Sequence, residues 1–171
     1  ANDKKQYEKY KNVLGNDVPK TLDKFQNMKY NESEKWKFTK LDYSRRKDLI
    51  DHPDKRLPVD NGIAVPDGKF KDYLFGGENK QGLAKGNAFS GRLGYNIDNW
   101  EGLSNVIKQK SVIYPASAKG SNEYGIRYEQ KIVLYGKKGT PANVIVGWIK
   151  KPDGNVSMTS TYIKEVDKNG N

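Results

Sequence analysis

The stretch Tyr124-Gly125-Ile126-Arg127-Tyr128-Glu129-Gln130-Lys131-Ile132-Val133-Leu134-Tyr135 decides the fold class. Ile126, Tyr128, Ile132 and Leu134 fall on one parity, with Arg127, Glu129 and Lys131 between them. A period of two places one set on a buried strand face and the other on the opposite face. Gly136-Lys137-Lys138-Gly139 then supplies a turn, and Val144, Val146 and Trp148 alternate in the next segment. Pro152-Asp153-Gly154 supplies a second turn before Val156, Met158, Ser160 and Tyr162 alternate in the last. Three such strands joined by short turns predict an antiparallel meander with one face on a core.

Upstream, the apolar period lengthens to that of helices. Asp98 opens one with Trp100, Leu103, Val106 and Ile107 on a single face. Leu83, Ala84, Ala88, Phe89 and Leu93 mark another, in which Gly82, Gly86 and Gly91 permit close packing or bends. A short helix over Lys69–Phe75 precedes Gly76-Gly77. In the first fifty residues Tyr7, Tyr10, Val13 and Leu14 share a face that ends at Gly15-Asn16. A second helix is expected to start at Asp17-Val18-Pro19, burying Leu22, Phe25 and Met28. A third follows an Asn31–Glu34 capping box, with Trp36, Tyr43 and Ile50 at seven-residue intervals. Pro53, Pro58, Pro66, Gly62 and Gly68 break the helical pattern. The expected organisation is a helical N-terminal segment 1–50, a Pro/Gly-rich connection 51–68, an α+β domain 69–166 and a tail 167–171. Helices followed by sheet make the fold class α+β.

The 31 Lys and Arg outnumber the 21 Asp and Glu, for a net charge of +10. Residues 1–60 carry 15 basic and 11 acidic groups and residues 61–171 carry 16 and 10, so no bare polybasic tail exists. Any anion-binding face must be assembled by folding, and nucleic acid, an acidic membrane or an acidic protein would be drawn to it. There is no cysteine, which removes disulfides, thiol nucleophiles and cysteine metal sites. No apolar run approaches the roughly 20 residues of a membrane span. Ala1-Asn2-Asp3-Lys4-Lys5 is too polar for a signal peptide, so the chain is expected to be cytoplasmic, already processed or cut from a larger polypeptide.

The single histidine, His52, precedes Pro53 in the connection and reads as a solvated loop residue. Zinc-protease and HNH-type chemistry would need more histidines, and no nucleophile elbow, Walker loop or dinucleotide fingerprint is present. No metal or cofactor is expected. Metal-independent RNA cleavage needs less, because the 2′-hydroxyl is a built-in nucleophile. The protein must align it, move protons and neutralise charge on the phosphate oxygens. Lys85, Tyr124, Arg127, Thr159 and Ser160 are the candidate catalytic residues, and Arg92, Lys131 and Thr161 the candidate RNA contacts. Arg127, Glu129 and Lys131 read equally as a solvent-facing strand row, and threonine is an ordinary strand residue. Trp36, Trp100 and Trp148 occupy apolar positions of the pattern and read as core.

Residues 65–166 resemble a small domain found at the C-termini of phage head-associated proteins and bacterial polymorphic toxins. The similarity is carried by Pro66 and Lys69 before Tyr73-Leu74, by Gly82, Lys85, Ala88 and Phe89, and by Leu93-Gly94-Tyr95 with Asn99-Trp100 and Leu103. Tyr124-Gly125-Ile126-Arg127-Tyr128, Val146 with Trp148, and Ser160-Thr161-Tyr162 complete it. Such domains are similar to the barnase–EndoU–colicin–RelE (BECR) group of ribonucleases. The resemblance implies helices on a curved antiparallel sheet and a metal-independent toxin ribonuclease of interbacterial competition, as in contact-dependent growth inhibition. It would cut tRNA or another structured RNA and be neutralised by an acidic cognate immunity protein. It would be delivered from a producing bacterium as part of a larger secreted or surface protein and act in the target-cell cytoplasm. Carried over by position, Lys85, Tyr124, Arg127 and Ser160 are the polar members of the matching motifs. Many relatives use a histidine for proton transfer, and residues 65–166 have none. The alternative is a non-catalytic, basic nucleic-acid-binding module of a phage or mobile-element protein.

Overall fold

Tyr7, Tyr10 and Leu14 lie at helical spacing on α1 (Asn2–Leu14), and all three are buried against α2 (Leu22–Asn31) and α3 (Ser33–Asp51) in the computed structural model, which describes residues 2–171. Phe25 and Met28 of α2 close this small aromatic cluster. The chain then passes through β1 (Ile63–Ala64), a π-helical turn (Phe70–Leu74), α4 (Lys80–Leu93) and α5 (Trp100–Lys110). It ends in β2 (Ala116–Asn122), β3 (Gly125–Tyr135), β4 (Pro141–Lys150) and β5 (Val156–Ile163). Helices followed by a sheet confirm the α+β class. Among the described residues no helix is long and apolar enough to cross a membrane.

Several local expectations shift. Helix α2 begins at Leu22 rather than at Asp17, because Thr21 Oγ1 accepts the Lys24 N–H at 3.2 Å and caps it. Asn31 forms no capping box with Glu34. It is still the last residue of α2, donating to Asn27 Oδ1, and the N-cap of α3 is Glu32. Trp36 and Tyr43 pack on Tyr10, the Tyr10 and Tyr43 rings lying parallel 4.1 Å apart, whereas Ile50 is exposed. Gly91 contacts nothing that a side chain would displace.

The meander is one part of a five-stranded sheet, ordered β1-β5-β4-β3-β2. Both outer strands escape the period-two pattern. The first, β1, is only two residues long and lies within the expected connection, pairing in parallel with Val156 and Ser157. The other, β2, is exposed along nearly its whole length, so no burial shapes its composition. The remaining pairs are antiparallel, with register shifts at Ala118/Gly120 and at Gly147/Trp148.

Ile132 and Leu134, Val144, Val146 and Trp148, and Val156 and Met158 face α4, α5 and the 70–74 turn, forming the main core. Alternation sends Val133, Asn143 and Ile145 to the opposite face, where α3 packs on β3 and β4. Arg45 of α3 donates to Asn143 Oδ1 at 2.8 Å and to the Ile132 carbonyl. It also donates to the Gly170 carbonyl, holding the tail against this layer.

A buried polar cluster completes the docking of the helices. Asp42 is fully buried and accepts hydrogen bonds from the phenols of Tyr114 and Tyr135. Arg46 lies 3.6 Å from Asp42 and 2.8 Å from Asp17, and Lys110 pairs with Asp17 at 3.4 Å. Burial pushes the Asp42 carboxyl above its ordinary range, opposed by Lys110, the two phenols and Arg46. Burial beside that carboxylate also pushes the Tyr114 and Tyr135 phenols well up. Because β2 stops pairing at Gln130, the Val133 carbonyl has no strand partner on that edge. Lys110 donates to it instead at 2.9 Å, and the Tyr114 hydroxyl lies 3.3 Å away.

Candidate functional site

The opposite edge of the sheet is left open in the same way. Strand β1 pairs only with Val156 and Ser157, so β5 has no outer neighbour beyond them. The chain leaving β1 swings away through Pro66 and Gly68 into the 70–74 turn. The gap is a cleft of about 550 Å³, walled by Lys69, Asp72, Tyr73 and Lys85 on one side and by Thr159, Ser160 and Thr161 on the other.

Two glycines of α4 set this wall. A Cβ on Gly86 would lie 1.7 Å from the Leu74 carbonyl oxygen, and one on Gly82 would lie 2.7 Å from the Tyr73 ring. Only glycine admits the turn that close. Asn79 starts the helix just ahead of them, its Oδ1 accepting the Gly82 N–H at 3.0 Å. Lys85, between the two glycines, is thereby aimed at the phenol: its Nζ is 3.5 Å from Tyr73 Oη. The same ammonium sits 5.5 Å from the ring centroids of both Tyr73 and Tyr162, within cation–π range. Among the described residues neither Lys85 nor Lys69 has a carboxylate at ion-pair distance.

The β5 wall owes its shape to the register shift. Met158 faces Trp148 and Ser160 faces Gly147, so Thr159 is the extra residue of a bulge. A Cβ on Gly147 would meet Ser160 Oγ at 2.7 Å and Thr159 Oγ1 at 2.9 Å, so both hydroxyls lean toward one point. Bulges re-aim side chains in this manner. Thr161 is 3% exposed, and its Oγ1 has no hydrogen-bond partner among the described residues. A buried hydroxyl without a partner is costly.

Four of the eight residues singled out from the sequence therefore meet here: Lys85, Thr159, Ser160 and Thr161. The other four lie elsewhere. Tyr124 is 68% exposed at the β2–β3 turn, beside Ile149 and Pro152. Arg127 is exposed and neighbours Tyr128, which packs on the main core, so its side chain leaves from the other face. Lys131 shares that face and donates to Asn171 Oδ1 at 2.9 Å. Arg92 is a structural tie, donating to the Pro141 carbonyl and to Glu34 while covering the Phe38 ring. The expected single surface is thus incompletely assembled: β3 stands two strands from β5, about 10 Å away, and Arg127 and Lys131 do not line the cleft, although Gly147 places the Ser160 and Thr159 hydroxyls on the same sheet face as Arg127. In exchange the cleft gains Lys69, Asp72 and Tyr73. Their signal in the sequence is a four-residue spacing of Lys69 and Tyr73 on one helical turn, ahead of the Gly82/Gly86 pair that receives it.

The family model of the domain of unknown function DUF6883 matches residues 56–165. The chain belongs to this family. Every residue lining the cleft falls inside the DUF6883 domain, whereas Asp42, Arg45 and Arg46 belong to the helices that precede it. No curated protein matches the chain. Among solved structures, one chain of a contact-dependent growth inhibition toxin–immunity protein complex from Klebsiella pneumoniae 342 is similar, with a TM-score of 0.47 and 22% identity. The match covers 59% of this chain and 99% of that one.

Proposed function

We propose that the DUF6883 domain of this chain is a metal-independent endoribonuclease of the toxin type, acting on tRNA or another structured RNA. The observation that carries this reading is the cleft at the open edge of β5. There two unpaired lysines face three consecutive hydroxyl residues, one of them with a buried oxygen lacking a partner. Lys85 and Lys69 supply charge for the non-bridging phosphate oxygens, and Thr161 with its neighbours supplies hydrogen-bond donors. The nucleophile comes from the substrate as the RNA 2′-hydroxyl. The net charge of +10 favours a polyanionic substrate at long range.

The toxin context rests on the sequence motifs at Lys69–Leu74, Gly82–Phe89 and Ser160–Tyr162, which resemble those of polymorphic toxin domains. In that setting the chain is delivered from a producing bacterium and acts in the cytoplasm of the target cell. An acidic immunity protein covers the cleft, its association fast and weakened by salt.

Incubation of the purified chain with total tRNA in excess chelator tests the enzyme reading. Cleavage to products ending in a 2′,3′-cyclic phosphate is expected, with the rate reduced on the order of 100-fold by Lys85→Ala. Retention of tRNA without cleavage would instead identify a binding module.

A further inference from the structure

The ribonuclease reading leaves proton transfer unassigned, since residues 65–166 contain no histidine. We infer that Tyr73 donates the proton to the departing 5′-oxygen and Asp72 accepts the proton of the attacking 2′-hydroxyl. Both side chains belong to residues that line the cleft, on adjacent positions of the 70–74 turn. Asp72 is the sole carboxylate residue in that lining. Tyr73 is the phenol nearest the unpaired cation, with Lys85 Nζ 3.5 Å from its oxygen.

The ring is also held as a proton donor must be. Tyr73 lies against Gly82, where even a methyl group would come within 2.7 Å of the ring, and Lys85 sits over its face. Its hydroxyl accepts from Lys85 and makes no other side-chain bond among the described residues, so its own proton is not committed elsewhere. Tyr135 and Tyr114, by contrast, spend their protons on Asp42.

The step balances without an added reactant. The 2′-oxygen forms a bond to phosphorus as its proton passes to the Asp72 carboxylate. The bond from phosphorus to the 5′-oxygen breaks as the Tyr73 proton passes to that oxygen. The products are a 2′,3′-cyclic phosphate and a free 5′-hydroxyl. Lys85 stands beside the phenolate until water reprotonates it and Asp72 releases its proton to solvent.

This assignment rests on the ribonuclease reading, and a pair of substrates separates the two. One is tRNA, whose 5′-alkoxide leaving group needs a proton. The other is uridine 3′-(4-nitrophenyl phosphate), whose nitrophenolate leaves without one. Tyr73→Phe is expected to slow tRNA cleavage on the order of 100-fold, in the usual range for general acid catalysis, yet change nitrophenolate release by no more than about threefold. Asp72→Asn is expected to slow both substrates alike, because both need the 2′-proton removed. Equal loss on both substrates with Tyr73→Phe, or no loss on tRNA, overturns Tyr73 as the donor. Full activity of Asp72→Asn on either substrate overturns its role as the acceptor. A wild-type chain inert toward both substrates overturns the ribonuclease reading itself, and the assignment falls with it. Thermal unfolding of both variants at the wild-type midpoint shows that the losses are chemical.

Discussion

Two lysines occupy matching places at opposite edges of the sheet, and they have been put to different uses. Lys110 covers the edge of β3 where β2 stops, with its ammonium 5.0 Å from the Tyr135 ring and 5.9 Å from that of Tyr114. Lys85 covers the edge of β5 where β1 stops, 5.5 Å from Tyr73 and from Tyr162. The difference is the carboxylate. Lys110 is 3.4 Å from Asp17, its charge partly opposes the upward push that burial gives the Asp42 carboxyl, and it donates to the Val133 carbonyl at 2.9 Å. Lys85 has a phenol oxygen and, among the described residues, no acid at ion-pair distance. A cation whose partners are all internal holds the fold. One whose partners stop short of neutralising it keeps its charge available at a cleft.

The largest effect should come from removing the acid of the closed edge. Asp42→Ala leaves two phenols without their shared acceptor and Arg46 without one of its two carboxylates, and should cost about 3–5 kcal/mol in urea unfolding. Next is Lys85→Ala. Its effect should fall on cleavage, on the order of 100-fold or about 2.7 kcal/mol of barrier, while the unfolding midpoint stays near wild type. Equal destabilisation by the two variants would dissolve the contrast.

A smaller and sharper test uses pH. The folded protein binds the Tyr135 proton more tightly than the unfolded chain does, through burial and the adjacent Asp42 carboxylate. This stabilisation is complete below the ordinary tyrosine pKa of about 10 and is lost as pH rises above it. Asp42, also pushed up, contributes stability at low pH that fades as pH climbs past the ordinary carboxylate range. Urea midpoints measured from pH 8 to 11 should therefore fall more steeply for wild type than for Tyr135→Phe. The smallest effect belongs to Arg127→Ala. Standing two strands from β5 and outside the cleft lining, it should leave tRNA turnover within about twofold and only reduce the salt dependence of binding slightly. A hundredfold loss would extend the site across β4 to Arg127.

The three-strand meander, the turns at 136–139 and 152–154 and the helical stripes of α1, α4 and α5 were legible, because each follows from local periodicity. β1 was not, since two residues inside a proline-rich stretch carry no period; nor was β2, whose exposed residues carry none either. Of the site, Lys85 and Thr159 to Thr161 were legible as residue types in a basic domain with sheet hydroxyls. Tyr73 was legible as a member of the matching motif but not as a site residue, and Asp72 not at all, because their turn meets β5 across some 85 positions of chain. The pairing of Arg92 with Glu34 was equally hidden.

By itself, then, the order of residues determined the α+β class, the absence of thiol chemistry, the scarcity of imidazole and an excess of positive charge. These are properties of composition and of near neighbours. Which cations remain unpaired was decided by the tertiary structure alone. That depends on where each sheet edge runs out of strand, and on whether an acid from a distant helix arrives to cover it. Asp17 reaches Lys110; among the described residues no carboxylate lies at ion-pair distance from Lys85.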